Sequence, residues 1–193
     1  MAEHEVRTLT IEAATVENVA PFGELIGARP GDDGSESMFY DGTVNYLFAG
    51  FSSDADTTLI VSRAQPRELL VRYMERHFKH TQTFIPLAGK PFVMVLAPPT
   101  EGDLPDLDQA RAIDFDGTAG FMLGIGTWHE FPFALQRNTD LVSVLRHETY
   151  RGVSSKNADT GESHNPDLDK KDIVTRLGVE LHAGFGSPQT EFA

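Results

Sequence analysis

The chain is broken into short apolar or alternating runs, separated at close intervals by turn-forming residues. Thr58 to Arg63, Thr83 to Leu87, Pro91 to Ala97, Ala110 to Phe115 and Leu141 to Leu145 are each rich in β-branched and aromatic side chains. Runs of that length and composition are buried best as strands. Little between them has helical periodicity, so a parallel sheet built from βαβ units is excluded. An all-β barrel or sandwich is predicted.

Other segments fit the same pattern. Val6 to Ile11 alternates like an edge strand, and Thr15 can cap a short helix that stops before Pro21 and Gly23, with a strand beginning near Leu25. Residues 29–37 are turn formers and read as a loop, and the aromatic-rich Val44 to Phe51 reads as a strand facing a pocket. Leu69 to His77 suits an extended strand. The strands at Thr83 to Leu87 and Pro91 to Ala97 are separated by Ala88-Gly-Lys90, a hairpin signal. The acidic Asp103 to Asp108 stretch reads as a solvated loop. Leu141 to Leu145 is the last clear core strand; Gly152 to Lys171 is polar and reads as an extended loop or arm, Asp172 to Leu181 as a short helix, and Ser187 to Ala193 as a tail. The expected organisation is one barrel domain over residues 1–148. Residues 149–193 then form a C-terminal extension, partly ordered, packing on that domain or on a dimer partner.

Composition limits the function. At 193 residues and 40% hydrophobic content the chain can bury one substantial core. No apolar run approaches the roughly 20 residues that span a bilayer, and the first residues lack the pattern of a secretory signal. A cytoplasmic protein without membrane contact is expected. Cysteine is absent, which excludes disulfides and thiolate metal sites. A formal charge of -13 repels polyanions, so nucleic acid is not an expected partner and a small molecule is.

The chemically capable side chains concentrate between Tyr73 and Gly89. Glu75-x-His77 is followed by Gln82 and Gly89, and later in the chain Gly124-x-Gly126-x-x-His129 appears. This spacing resembles the two short motifs of the cupin superfamily, in which histidines and a carboxylate converge inside a jelly-roll barrel. Glu75 stands where the first histidine is usual, Gln82 where the glutamate is usual, and Gly124 where a proline is usual. His80 has no position in that register and reads as structural or surface.

A wider set of segments is more specific. Pro21-Phe-Gly-Glu-Leu-Ile26, Ile60-Val-Ser-Arg-Ala-Gln-Pro66, Glu75-Arg-His77, Thr81-Gln-x-Phe-Ile-Pro-Leu87, Gly126-Thr-Trp-His129 and Phe133-Ala-Leu-Gln-Arg137 occur in this order. Over roughly residues 8–146 they resemble the ureidoglycolate lyase family, formerly called ureidoglycolate hydrolases. The resemblance implies a cupin-type double-stranded β-helix, a homodimer, and cleavage of (S)-ureidoglycolate to glyoxylate and urea in allantoin degradation.

The residues can be matched to that chemistry. Cleaving a hemiaminal needs a base for the hydroxyl and an acid for the departing nitrogen, so Glu75, His77 and His129 are the candidate catalytic residues. Arg63 or Arg76 could clamp a substrate carboxylate through a bidentate pair, and Gln82 could bind a urea amide as donor and acceptor. Phe84 and Trp128 are candidate pocket walls. Glu75, His77, Gln82 and His129 could together hold a divalent metal ion, although glutamine is a weak ligand and ordered water with arginine could equally do that work. Arg137 and Asp140 are expected to pair with each other or to brace the dimer. A different small-acid lyase, isomerase or hydrolase on the same barrel, or a non-enzymatic binding module, is the alternative.

Overall fold

The computed structural model describes residues 4–27, 44, 48–153 and 160–186. The loop expected over 29–37 and the tail from Ser187 lie outside these residues, as do 45–47 of the strand expected from Val44 to Phe51. Up to the middle of the chain the strands are β1 (Glu5–Ala13), β2 (Gly23–Gly27), β3 (Thr57–Ala64), β4 (Leu70–Val71), β5 (Tyr73–His77), β6 (Gln82–Pro86) and β7 (Phe92–Ala97). Then follow β8 (Arg111–Phe115), β9 (Ala119–Leu123), β10 (Trp128–His129), β11 (Phe133–Ala134), β12 (Thr139–Arg146), β13 (Ser163–His164), β14 (Leu168–Asp172) and β15 (Val179–Gly184). Three short helices, α1 (Val16–Val19), α2 (His147–Val153) and α3 (Ile173–Leu177), lie between them. In α1 the Thr15 hydroxyl accepts from the Asn18 amide while the Asn18 side chain accepts from the Thr15 amide, so both ends of the capping box are closed.

The strands form two curled sheets. One runs β2-β9-β6-β12-β3, and the larger runs β13-β14-β5-β10-β7-β8-β1-β15-β4, with β11 joining β7. Phe84, Phe121, Leu123 and Leu141 from the smaller sheet meet Phe92, Met94, Leu96, Ile113 and Phe115 from the larger in one buried cluster. This is the interior of the all-β barrel that the strand pattern predicts. Each of these fully buried side chains contributes roughly 1.5–3 kcal/mol of transfer free energy.

The larger sheet has a second apolar layer on its other face. Strand β7 shows why its sequence is apolar without alternation: Phe92, Met94 and Leu96 face the barrel, while Val93, Val95 and Ala97 face a cluster with Met74, Trp128, Ile173 and Leu181. Strand β15 runs parallel to β1 and antiparallel to β4, and β4 continues through Arg72 into β5. The large sheet therefore curls back on itself around this second core.

Two expectations need correction. Strands β6 and β7 do not form a hairpin. β6 pairs with β9 and β12, whereas β7 pairs with β8, β10 and β11, so the Ala88-Gly-Lys90 connection carries the chain from one sheet to the other. Ala88 (φ 57°) and Gly89 (φ 63°) make the left-handed turn, and the Lys90 ammonium donates to the carbonyls of Arg137 and Asn138. Nor is β12 the last strand of the fold, because β14 pairs with β5 over five residues and β15 pairs with β1 over six. The region from Asp172 to Leu181 is helical only to Leu177; Gly178, at φ 69°, ends the helix and starts β15.

Candidate active site

The site is built where β5, β10 and the start of β6 come together. Alternation on β5 points Glu75 and His77 to the barrel side and Met74 and Arg76 to the second core. His129 on β10 lies directly opposite Glu75 in the antiparallel register, and its other neighbour, Leu96, belongs to the barrel core. The turn before β10 is fixed from both sides. The Gly126 amide, at a residue with φ 81°, donates to the His77 carbonyl at 2.7 Å, and the Thr127 hydroxyl donates to the Phe22 carbonyl at 2.9 Å. The glycine of the second motif thus locks the end of β5 against the turn that carries His129.

Three imidazoles meet here. The His77 ring centroid is 4.7 Å from that of His80 and 5.2 Å from that of His129. All three residues are buried, with 4%, 1% and 1% of their surface exposed respectively. His129 Nδ1 lies 3.0 Å from the Thr127 carbonyl, which can only accept, so the neutral ring carries its proton on Nδ1 and presents a free lone pair on Nε2. That Nε2 is 3.7 Å from Glu75 Oε1, and Glu75 Oε2 is 3.7 Å from the Lys170 ammonium. Burial, reinforced by the His129 and His80 rings, pushes His77 well below the usual imidazole range. Burial also lowers His129, against the opposing pull of Glu75 and the Thr127 carbonyl. Both rings are therefore neutral near neutral pH, the form able to take a proton.

A second layer of partners lies beside them. His80 Nδ1 is 3.2 Å from Asp167 Oδ2, an oxygen to which the Thr149 hydroxyl also donates, while the Lys79 amide donates to Asp167 Oδ1 at 2.9 Å. Burial disfavours ionisation of Asp167, but the contacts from His80 and Thr149 outweigh it and hold the carboxyl well below the usual carboxylate range. Donor atoms of Glu75, His77 and His129 lie within 4.8 Å of one another, as do those of His77, His80 and Asp167; either set could hold a metal ion.

The remaining sequence-predicted residues have separate placements. Gln82 and Phe84 share the inward face of β6. Gln82 approaches His77 and leaves its Oε1 without a partner, while Phe84 packs in the barrel core, edge-to-face with Phe131 at 5.8 Å. Arg76 lies on the opposite face of β5, where both terminal nitrogens of its guanidinium are engaged. It donates to the carbonyls of Thr100 (2.8 Å) and Gly102 (2.7 Å), meets Asp169 Oδ2 at 3.3 Å, and stacks 4.3 Å over the Trp128 ring. Trp128, fully buried beside it, donates its indole N–H to Thr100 Oγ1. Arg63 forms a bidentate pair with Asp140 at 2.8 and 2.9 Å on the exposed side of the β3–β12 ladder. Asp140 thus pairs with Arg63 instead of Arg137. The structure does not bring Arg63, Arg76 or Trp128 to the histidines, because strand alternation turns the last two to the other core and the first to solvent.

His80, Thr149, Asp167 and Lys170 are the site neighbours that the motif register does not contain. Their only sequence signal is the presence of a second histidine within the Glu75 to Gln82 stretch. Asp167 and Lys170 come from the polar segment after α2, whose place beside β5 is set by strand pairing.

The chain is similar to known proteins of one family. The family model described as ureidoglycolate lyase matches residues 6–166. A ureidoglycolate lyase of Azotobacter vinelandii (strain DJ / ATCC BAA-1303) is 32% identical over 145 residues, covering 73% of this chain and 86% of the relative. One from Pseudomonas fluorescens (strain Pf0-1) is 33% identical over the same length, with the same coverage of both chains. One from Pseudomonas syringae pv. tomato (strain ATCC BAA-871 / DC3000) is 34% identical over 149 residues, covering 73% of this chain and 84% of the relative. With most of its length matched, and with its paired motif residues facing one another across β5 and β10, the chain belongs to the ureidoglycolate lyase family.

Proposed function

We propose that the protein is a lyase that cleaves (S)-ureidoglycolate to glyoxylate and urea, with Glu75, His77 and His129 as its acid and base groups. The observation that carries this reading is the pairing of Glu75 with His129 across β5 and β10, with the free Nε2 lone pair turned toward the carboxylate. In the reaction His129 Nε2 removes the proton of the carbinol hydroxyl. The oxygen electrons form the glyoxylate C=O bond, the C–N bond breaks toward the ureido nitrogen, and that nitrogen receives a proton to leave as urea. The carboxylate of Glu75 stabilises the imidazolium formed on His129, and the proton taken there returns to the departing nitrogen, with the neutral His77 ring beside it as the relay. Gln82, with an unpartnered carbonyl oxygen, can accept from the urea amide.

Glu75, His77 and His129 also suit a divalent cation. His77 has two buried ring nitrogens without a partner, and His129 has one. An ion bound there would supply Lewis acidity toward the substrate hydroxyl and carboxylate oxygens. We further propose a cytoplasmic homodimer. No described helix is long and apolar enough to cross a membrane. The outer face of the smaller sheet exposes Leu59 and Val61, which lie opposite Val144 and Val142 in register, and this is a surface a second copy could cover.

Incubation with (S)-ureidoglycolate, following glyoxylate release with and without added divalent metal, tests the reaction. The expected result is turnover that His129→Ala reduces by at least 100-fold while the protein stays folded. An absence of turnover under every metal condition would reject the reading.

A further inference from the structure

We propose that His77, His80 and Asp167 form a binding site for one divalent first-row transition-metal ion, distinct from the Glu75–His129 pair. The proposal does not depend on the identity of the substrate.

The first argument is unmet bonding. Both ring nitrogens of His77 and both of His80 are buried without a hydrogen-bond partner among the described residues. In folded proteins about 90% or more of buried polar groups are bonded, and an ion is one of the few things that accounts for a cluster of exceptions. The second argument is geometric. His80 Nδ1 lies 3.2 Å from Asp167 Oδ2 yet is not aligned as a hydrogen bond to it. Two ligands sharing one tetrahedral ion at about 2.0–2.1 Å stand roughly 3.3 Å apart, so this separation suits two atoms converging on a third body. The donor atoms of the three residues all lie within 4.8 Å of one another.

The third argument is the support behind the carboxylate. The Lys79 amide occupies Asp167 Oδ1, the Thr149 hydroxyl donates to Oδ2, and the Asn165 side chain accepts from the Asp167 amide. Outer contacts of this kind orient a metal ligand and tune its affinity. Charge then separates the two possible sets. Glu75 already has the Lys170 ammonium at 3.7 Å, which makes its set the weaker of the two for a cation, whereas among the described residues no lysine or arginine side chain pairs with Asp167. Two imidazoles and one carboxylate form a donor set for zinc, iron, nickel or manganese, and three protein ligands leave a position for water or substrate oxygen. Asp167 lies just past the segment matched by the family, and His80 has no position in the cupin register.

The test uses the full chain after chelator treatment, titrated with Zn²⁺ by calorimetry and with Co²⁺ by visible absorption. One ion per chain with ligand-field bands is expected. His80→Ala and Asp167→Asn should each weaken binding by at least 100-fold, Thr149→Val by roughly 10- to 100-fold, and Glu75→Gln should leave the stoichiometry intact. Because a variant could fail to fold, an anomalous difference map of the zinc-soaked wild-type crystal at the zinc edge gives a second readout. A peak bounded by His77, His80 and Asp167 supports the site. A peak on Glu75 and His129, loss of binding in Glu75→Gln alone, or no bound ion would overturn it.

Discussion

Replacing Arg76 by methionine separates a structural cation from a substrate clamp. The guanidinium is buried, makes the two backbone carbonyl bonds to Thr100 and Gly102, meets Asp169, and stacks between Trp128 and Phe78 at 4.3 and 4.7 Å. Methionine fills much of the same volume but satisfies none of these acceptors. Asp169 keeps some compensation from the Lys171 ammonium at 3.1 Å, so the expected loss lies at the lower end of the range for breaking a buried pair, about 3 kcal/mol. Against a total stability of roughly 5–15 kcal/mol this shifts the denaturation midpoint strongly. Urea unfolding should show a lower midpoint with an unchanged slope, and KM for ureidoglycolate, measured on the folded fraction, should change less than about threefold. If Arg76 instead gripped the substrate carboxylate, losing a charged hydrogen bond of about 1.5–3 kcal/mol would raise KM roughly 10- to 150-fold. A stability change under about 1 kcal/mol together with such a rise in KM would refute the structural assignment.

Two further outcomes can be checked in solution. Light scattering should find a dimer that Leu59→Glu combined with Val61→Glu converts to a folded monomer; an unchanged mass would place any dimer contact elsewhere. The second concerns acid. The Arg176 guanidinium beside Glu162 lowers its carboxyl from 4.5 to about 2, so this group stabilises the fold above pH 4.5 and loses that contribution as pH falls toward about 2. The full displacement would be worth about 3.4 kcal/mol by linkage, but Arg176 is half exposed and screening reduces this to about 1 kcal/mol. Glu162→Gln should flatten the melting-temperature profile by that amount between pH 4.5 and 2, and an identical profile would show the pair contributes nothing.

How far the sequence could be read depended on whether burial was apolar. The runs at β7, β8 and β12 are legible because their interior positions are Phe, Val, Met, Leu and Ile, which have nowhere else to go. Strand β14, Leu-Asp-Lys-Lys-Asp, reads as solvated sequence. Yet Asp169 and Lys171 are buried there, because Arg76 is already waiting on the neighbouring strand and the two strands exchange charges. No local pattern encodes that compensation, so the C-terminal strands and the second core were hidden.

The spacing on its own determined that Glu75 and His77 would share one face of a strand, since side chains two apart point the same way, and the cupin resemblance implied that His129 would meet them. Sequence also carried the family, whose model matches residues 6–166. Tertiary structure alone decided which neighbours those residues have. It turned Arg76 and Trp128 away, sent Arg63 to Asp140, and brought His80 against Asp167 from a segment far along the chain. The physical reason is that a strand's own sequence fixes its two faces, while its partners are chosen by register and by the charges those faces must neutralise.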